Sequence, residues 1–204
     1  MKLFWSPRSP FVRKVMVCTH ELGIADRVET VYSLVSLTKA NADVMRVNPV
    51  GRIPTLVADD GTVLYDSHVI CEYFDAVHGD SRLFPKETPR RWEALRRLAL
   101  GDAMLETGVL WRGELTRPPE QRSPAILATF ELKTKSALEE VERDAKSLER
   151  ENIDIGEIAI GCALGYLDFR FADLAWRLRC PVAAEWFEVF NARPSMQHTL
   201  PYEE

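Results

Sequence analysis

The pattern of apolar residues changes once, near residue 80, and that change constrains the fold more than any other feature of the chain. Before it, short apolar runs that read as strands alternate with stretches in which apolar residues recur every three or four positions. After it, only the helical periodicity remains. A chain of this kind has to build a small mixed sheet with helices first and an all-helical body second.

The first part is clearly punctuated. Residues 1–5 form an apolar run stopped by Ser6-Pro7, as expected of a buried strand that ends in a turn. Ser9 as N-cap, Pro10 at the first helical position and Gly23 just past the end frame an amphipathic helix with Phe11, Val15, Cys18 and Leu22 on one face. Residues 27–32 return to a strand pattern, and residues 38–47 read as a short helix ended by Asn48-Pro49. Residues 55–58 and 62–65 flank Asp59-Asp60-Gly61, a hairpin turn in which Asp-Gly supplies the positive φ. Asp66-Ser67 opens another helix, stopped near Gly79. The resulting order is β-α-β-α-β-β-α.

Residues 80–88 are charged and Pro-containing and read as a linker between residues 1–79 and residues 89–204. Beyond it, residues 89–114 and 123–151 read as long helices separated by Thr116-Arg117-Pro118-Pro119. A third helix starts at Asp154, with Glu157 three residues later to complete a capping box and Ile153 and Ile158 spaced as a hydrophobic staple. Its body, residues 158–167, is apolar almost all round, which suits the buried centre of a helical bundle. Shorter helices near residues 171–178 and 182–191 precede a tail from Pro194.

The 204 residues are 46% apolar and 28% charged, enough for a full core, and the net charge of -5 disfavours nucleic acid as a partner. The N-terminal residues lack the long apolar run of a signal peptide or membrane span, so a cytoplasmic protein with no membrane partner is expected. Cys18, Cys71, Cys162 and Cys180 lie far apart in apolar neighbourhoods and read as buried thiols. The four histidines show no ligand spacing, and no metal is expected.

Residues 48–73, NPVGRIPTLVADDGTVLYDSHVICEY, look most like a site, because a loop, a strand entrance, a hairpin and a helix start expose backbone donors and acceptors within a short stretch. Four segments in order, SPFVRKV at 9–15, NPVGRIPTL at 48–56, DSHVICEY at 66–73 and DIGEIAI at 154–160, resemble the cytosolic glutathione S-transferase family. The ending WFEVFNARPS at 186–195 is also similar, and bacterial members with serine at the first helix are the nearest likeness. The resemblance covers nearly the whole chain. It implies a thioredoxin-like α/β domain with a mixed four-stranded sheet, followed by an all-α domain that contributes a hydrophobic substrate pocket. It also implies a cytoplasmic homodimer that conjugates glutathione, its co-substrate, to a small hydrophobic electrophile in detoxification.

Site residues follow from the same resemblance. Pro54 stands where the family has a cis proline, and Ile53 before it would pair its backbone with the cysteinyl part of glutathione, with Arg52 and Phe11 nearby. Ser67 would hold the γ-glutamyl carboxylate and Asp66 the ammonium group. A helix start favours a carboxylate through its free N–H groups and dipole, although taken alone Ser67 reads as a cap and Asp66 as a turn residue. Many relatives carry Glu or Gln where Asp66 stands, which shortens the reach of that contact. Ser9 occupies the place of the first cysteine of a thioredoxin-like redox pair and Val12 that of the second, so neither a dithiol nor a single-cysteine mechanism is available through this position. What remains is a hydroxyl that donates to the glutathione thiolate, with Ser6 as second candidate.

Trp5, Arg8, Met104, Gly108 and Trp111 are the candidate walls of an electrophile pocket, Gly108 because a missing side chain can leave room for a ligand. A Met or aromatic stripe at this spacing also suits a helix core. Arg90, Arg91, Arg96 and Arg97, set against Glu72 and Asp75, are candidates for charge pairs across a dimer interface or for solvated helix faces. Two other functions fit the same frame. One is a non-catalytic binding protein of this fold, and the other a glutathione-dependent isomerase or dehalogenase.

Overall fold

A computed structural model describes residues 1–203. It divides into two compact units, Met1–Arg91 with the tail from Pro194, and Trp92–Arg193. The tail, which the sequence pattern groups with the helical part, thus belongs with the sheet.

In the first unit, strands β1 (Lys2–Trp5), β2 (Glu29–Tyr32), β3 (Thr55–Val57) and β4 (Val63–Leu64) form one mixed sheet in the order β2-β1-β3-β4. β1 runs parallel to β2 and antiparallel to β3, and β3 is antiparallel to β4. The short β3–β4 connection is the expected hairpin, with Gly61 at φ +86° and the Thr62 N–H donating to Asp60 at 2.8 Å. Helix α1 (Pro10–Glu21) is capped by Ser9 and followed by Gly23 at φ +68°, as its punctuation predicts. Helix α2 (Ala42–Val47) starts later than its sequence pattern predicts, because the Asn41 side chain accepts from both the Asp43 and Val44 N–H groups and fixes the start there. Helix α3 (Ser67–Phe74) continues into a wide turn at Asp75–Gly79.

The second unit is helical throughout, from α4 (Thr88–Leu115), whose first turn belongs to the other unit, through α5 (Pro124–Asp144), α6 (Ile155–Arg170) and α7 (Trp176–Arg179) to α8 (Pro181–Asn191). Every residue of α6 from Ile155 to Leu167 is buried, which makes it the centre of the bundle. Its capping box is formed in both directions. Asp154 accepts from Gly156 N–H at 2.9 Å and Glu157 accepts from Asp154 N–H at 2.8 Å. A final short helix, α9 (Pro194–Gln197), packs on α1.

All four cysteines are buried free thiols. No helix among the described residues is long and apolar enough to cross a membrane.

Candidate functional site

Register places three chain segments at one end of the sheet. Phe4 lies opposite Thr55 and Leu56 opposite Leu64. Because both pairings are antiparallel, the end of β1, the entrance of β3 and the end of β4 share an edge. Continuing each strand by one or two residues brings the β1–α1 turn, the Ile53–Pro54 peptide and the start of α3 to that edge.

The segment before β3 is held by Asn48, which is 1% exposed. Its amide donates to Arg52 O at 3.1 Å and to the Thr55 hydroxyl at 2.9 Å, while its oxygen accepts from Val50 N–H at 3.0 Å. Gly51 turns the chain at φ +66°, a conformation that favours glycine. The Ile53–Pro54 bond is cis, and so is Tyr65–Asp66. Ile53 packs its side chain with Val12 and Val44, against which Phe4, Trp5, Met16 and Val35 also rest. Its backbone N–H and C=O make no hydrogen bond to any described residue. Ile53 thus offers one strand-like donor and acceptor with nothing among the described residues to satisfy them. Arg52 is exposed beside it.

At the start of α3 the Asp66 carboxylate accepts from His68 N–H at 3.0 Å and caps the helix, so Asp66 and not Ser67 is the N-cap. Ser67 is buried to 2% exposure, and its hydroxyl makes no hydrogen bond to a described residue. The geometry suits an anion, with free helix N–H groups, a hydroxyl and the positive end of the dipole together.

At the start of α1 the Ser9 oxygen accepts from Val12 N–H at 3.3 Å. That use as a cap leaves the hydroxyl proton free to donate, and Ser9 is partly exposed. Ser6 is more withdrawn, at 4% exposure, with its oxygen accepting from Arg8 N–H at 3.4 Å. Accessibility favours Ser9. Trp5, Arg8 and Phe11 are half-buried in the same unit.

The remaining sequence candidates lie in the helical unit, where they have core partners. Trp111 is 8% exposed and stacks on Phe171 with ring centroids 4.7 Å apart, and Met104 is 5% exposed. The room expected at Gly108 is taken by Tyr166, whose ring carbon would lie 3.0 Å from an added Cβ. A glycine in mid-helix here admits a packed aromatic ring.

Several of the charges considered for pairs across a dimer interface have partners within the chain. Glu72 accepts from Arg91 at 3.0 Å, and Asp75, 1% exposed, accepts from the Leu83 and Phe84 N–H groups at 2.9 and 2.8 Å. Arg96 reaches Glu140 and Asp144, and the buried Arg97 reaches Glu93, Asp144 and Glu157. Asp75 satisfies two buried N–H groups, and Asp144 and Glu157 compensate the buried Arg97, groups that burial would otherwise leave uncompensated. The organising roles of two residues escaped sequence reasoning, Asn48, read as a helix stop, and Asp75, read as an interface charge. Only the Asn-Pro turn signal pointed to the first.

Residues 8–77 match the family model described as glutathione S-transferase, N-terminal domain. An uncharacterized GST-like protein of Escherichia coli (strain K12), YibF, is 30% identical over 205 residues, covering 98% of each chain. A glutathione transferase family member from Pseudomonas fluorescens Pf-5, solved with bound glutathione, is 41% identical and superposes with a TM-score of 0.95 over 99% of each chain. Its structure with bound S-(propanoic acid)-glutathione superposes at 0.90 over all of both chains, again at 41% identity.

Proposed function

Since the chain belongs to the glutathione S-transferase family, we propose that it binds glutathione at the sheet edge and directs its thiolate at a small electrophile. The observation that carries this reading is the unsatisfied backbone of Ile53 beside the cis Pro54. A peptide-like ligand paired there satisfies both groups, as an added strand would. Ser67 and the N–H groups at the start of α3 then receive the γ-glutamyl carboxylate, and the exposed Asp66 its ammonium group. The Pseudomonas fluorescens relative, solved with bound glutathione and with bound S-(propanoic acid)-glutathione, supports glutathione as the ligand.

Ser9 is proposed as the donor to the sulfur. A thiol with a pKa of about 8.5 is roughly 3% ionised at pH 7, so full ionisation gains at most about 30-fold. The lower basicity of the thiolate takes back part of that gain. The larger share of any acceleration comes from holding sulfur and electrophile together.

Turnover of a generic aryl halide with glutathione tests the reading. Ser9→Ala is expected to lower kcat/KM by about tenfold while the protein is still retained on immobilised glutathione. A melting curve run in parallel separates loss of the hydroxyl from loss of the helix cap. Unchanged turnover removes Ser9 from the mechanism. Retention without any turnover favours the non-catalytic binding protein.

A further inference from the structure

The segment from Pro194 to Glu203 runs antiparallel to α1 and brings Glu203 beside the proposed thiol site. Ser195 donates to Glu21 at 2.6 Å near the end of α1, and the Met196 carbonyl accepts from Arg13 at 3.3 Å. Glu203 comes within 3.7 Å of Arg8, the residue before Ser9. That separation is an ion pair without a directed hydrogen bond. The Arg8 guanidinium has no other partner among the described residues, and it is 31% exposed. The first turn of α1 contains no acidic residue. Beside the proposed sulfur position there is therefore a partly exposed cation whose five donors make no hydrogen bond to a described side chain, and among the described residues the carboxylate paired with it is Glu203.

We infer that Arg8 is the receptor for a carboxylate on the electrophile, and that Glu203 occupies this receptor until the substrate replaces it. The inference rests on the glutathione-transferase reading and names its substrate class, small carboxylic acids with a leaving group next to the acid. The physical need is specific. A thiolate and a carboxylate repel each other, and a cation held between them offsets that repulsion at the moment of approach. A substrate acid can take two parallel hydrogen bonds from the guanidinium, whereas the 3.7 Å between Arg8 and Glu203 is too long for one. Exposed pairs of this kind contribute little, so their exchange is easily reversed. In the reaction the thiol proton leaves to water, the sulfur lone pair forms the C–S bond, and the carbon–halogen bond breaks with its electron pair on the departing halide.

Chloroacetate and chloroacetamide test this, since they share a leaving group and nearly a shape and differ in charge. The readout is the ratio of kcat/KM for the acid over the amide, each corrected for the uncatalysed reaction. Arg8→Gln is expected to lower that ratio about tenfold or more, and Glu203→Gln to raise it. An Arg8 that acted only on the thiolate would change both substrates together and leave the ratio constant, which overturns the inference. A wild-type enzyme that conjugates the amide but discriminates against the acid as strongly as Arg8→Gln does also overturns it, with the glutathione-transferase reading intact. A protein that neither binds glutathione nor conjugates either compound overturns both.

Discussion

Glu157 accepts from the Asp154 N–H and from the Arg97 guanidinium at 2.8 and 3.0 Å while fully withdrawn from solvent. Burial, with the Asp154 carboxyl beside it, pushes its pKa up from 4.5 to about 7. Between those values the folded protein holds a proton that the unfolded chain has released, so this group lowers stability as pH rises through the window. Glu157→Gln keeps the capping-box side chain but cannot ionise. The urea stability of the wild type relative to this variant is expected to fall from about pH 5 to about pH 7 and then level off; a difference that is flat or rises there contradicts the assignment. The Asp154–Glu157 pairing was legible in the sequence because both residues belong to one helix turn. The role of Arg97 was not. Its partners Asp144 and Glu157 lie 47 and 60 positions away, and a run of four arginines near the start of a helix looks the same whether it faces solvent, a partner or the core.

Elements were legible where their ends carry local chemistry. Ser9-Pro10, Asp66-Ser67, Asp154 and the Asp-Gly turn each fix a boundary through side-chain or φ requirements, and those boundaries hold in the structure. Helix α9 was read as tail because four residues are too few to show periodicity. The crossing of α4 and α6 was equally hidden. It depends on Gly101, where an added Cβ would lie 2.6 Å from the Ala159 carbonyl carbon. Backbone cannot yield as a side chain can. Gly101→Ala gains up to about 1 kcal/mol of helix propensity but overpacks the crossing at a cost of about 1–3 kcal/mol or more. A lower urea midpoint is therefore expected, and a variant at least as stable as the wild type would show that the helices separate freely.

At the scale of the molecule, the change of pattern near residue 80 announced a mixed four-stranded sheet followed by a helical body, and that is the fold. The attachment of the tail to α1 was not legible, because it depends on contacts between residues more than 170 positions apart, such as Glu21 with Ser195. For the homodimer that the family resemblance implies, we propose an interface that does not rely on Glu72, Asp75, Arg96 or Arg97, which have partners inside the chain. With these charges already paired, sedimentation at micromolar concentration is expected to give a dimer that persists when salt is raised well above the physiological level, and a dimer that dissociates as salt rises would restore charge pairs to its interface. Recognition of glutathione is the centre of the account, and it makes a claim about individual amides. In an amide-resolved NMR titration with glutathione, the Ile53 and Ser67 N–H resonances are expected to shift together and saturate with a single dissociation constant. If both stay unmoved up to millimolar glutathione, the sheet edge is not where this protein holds it.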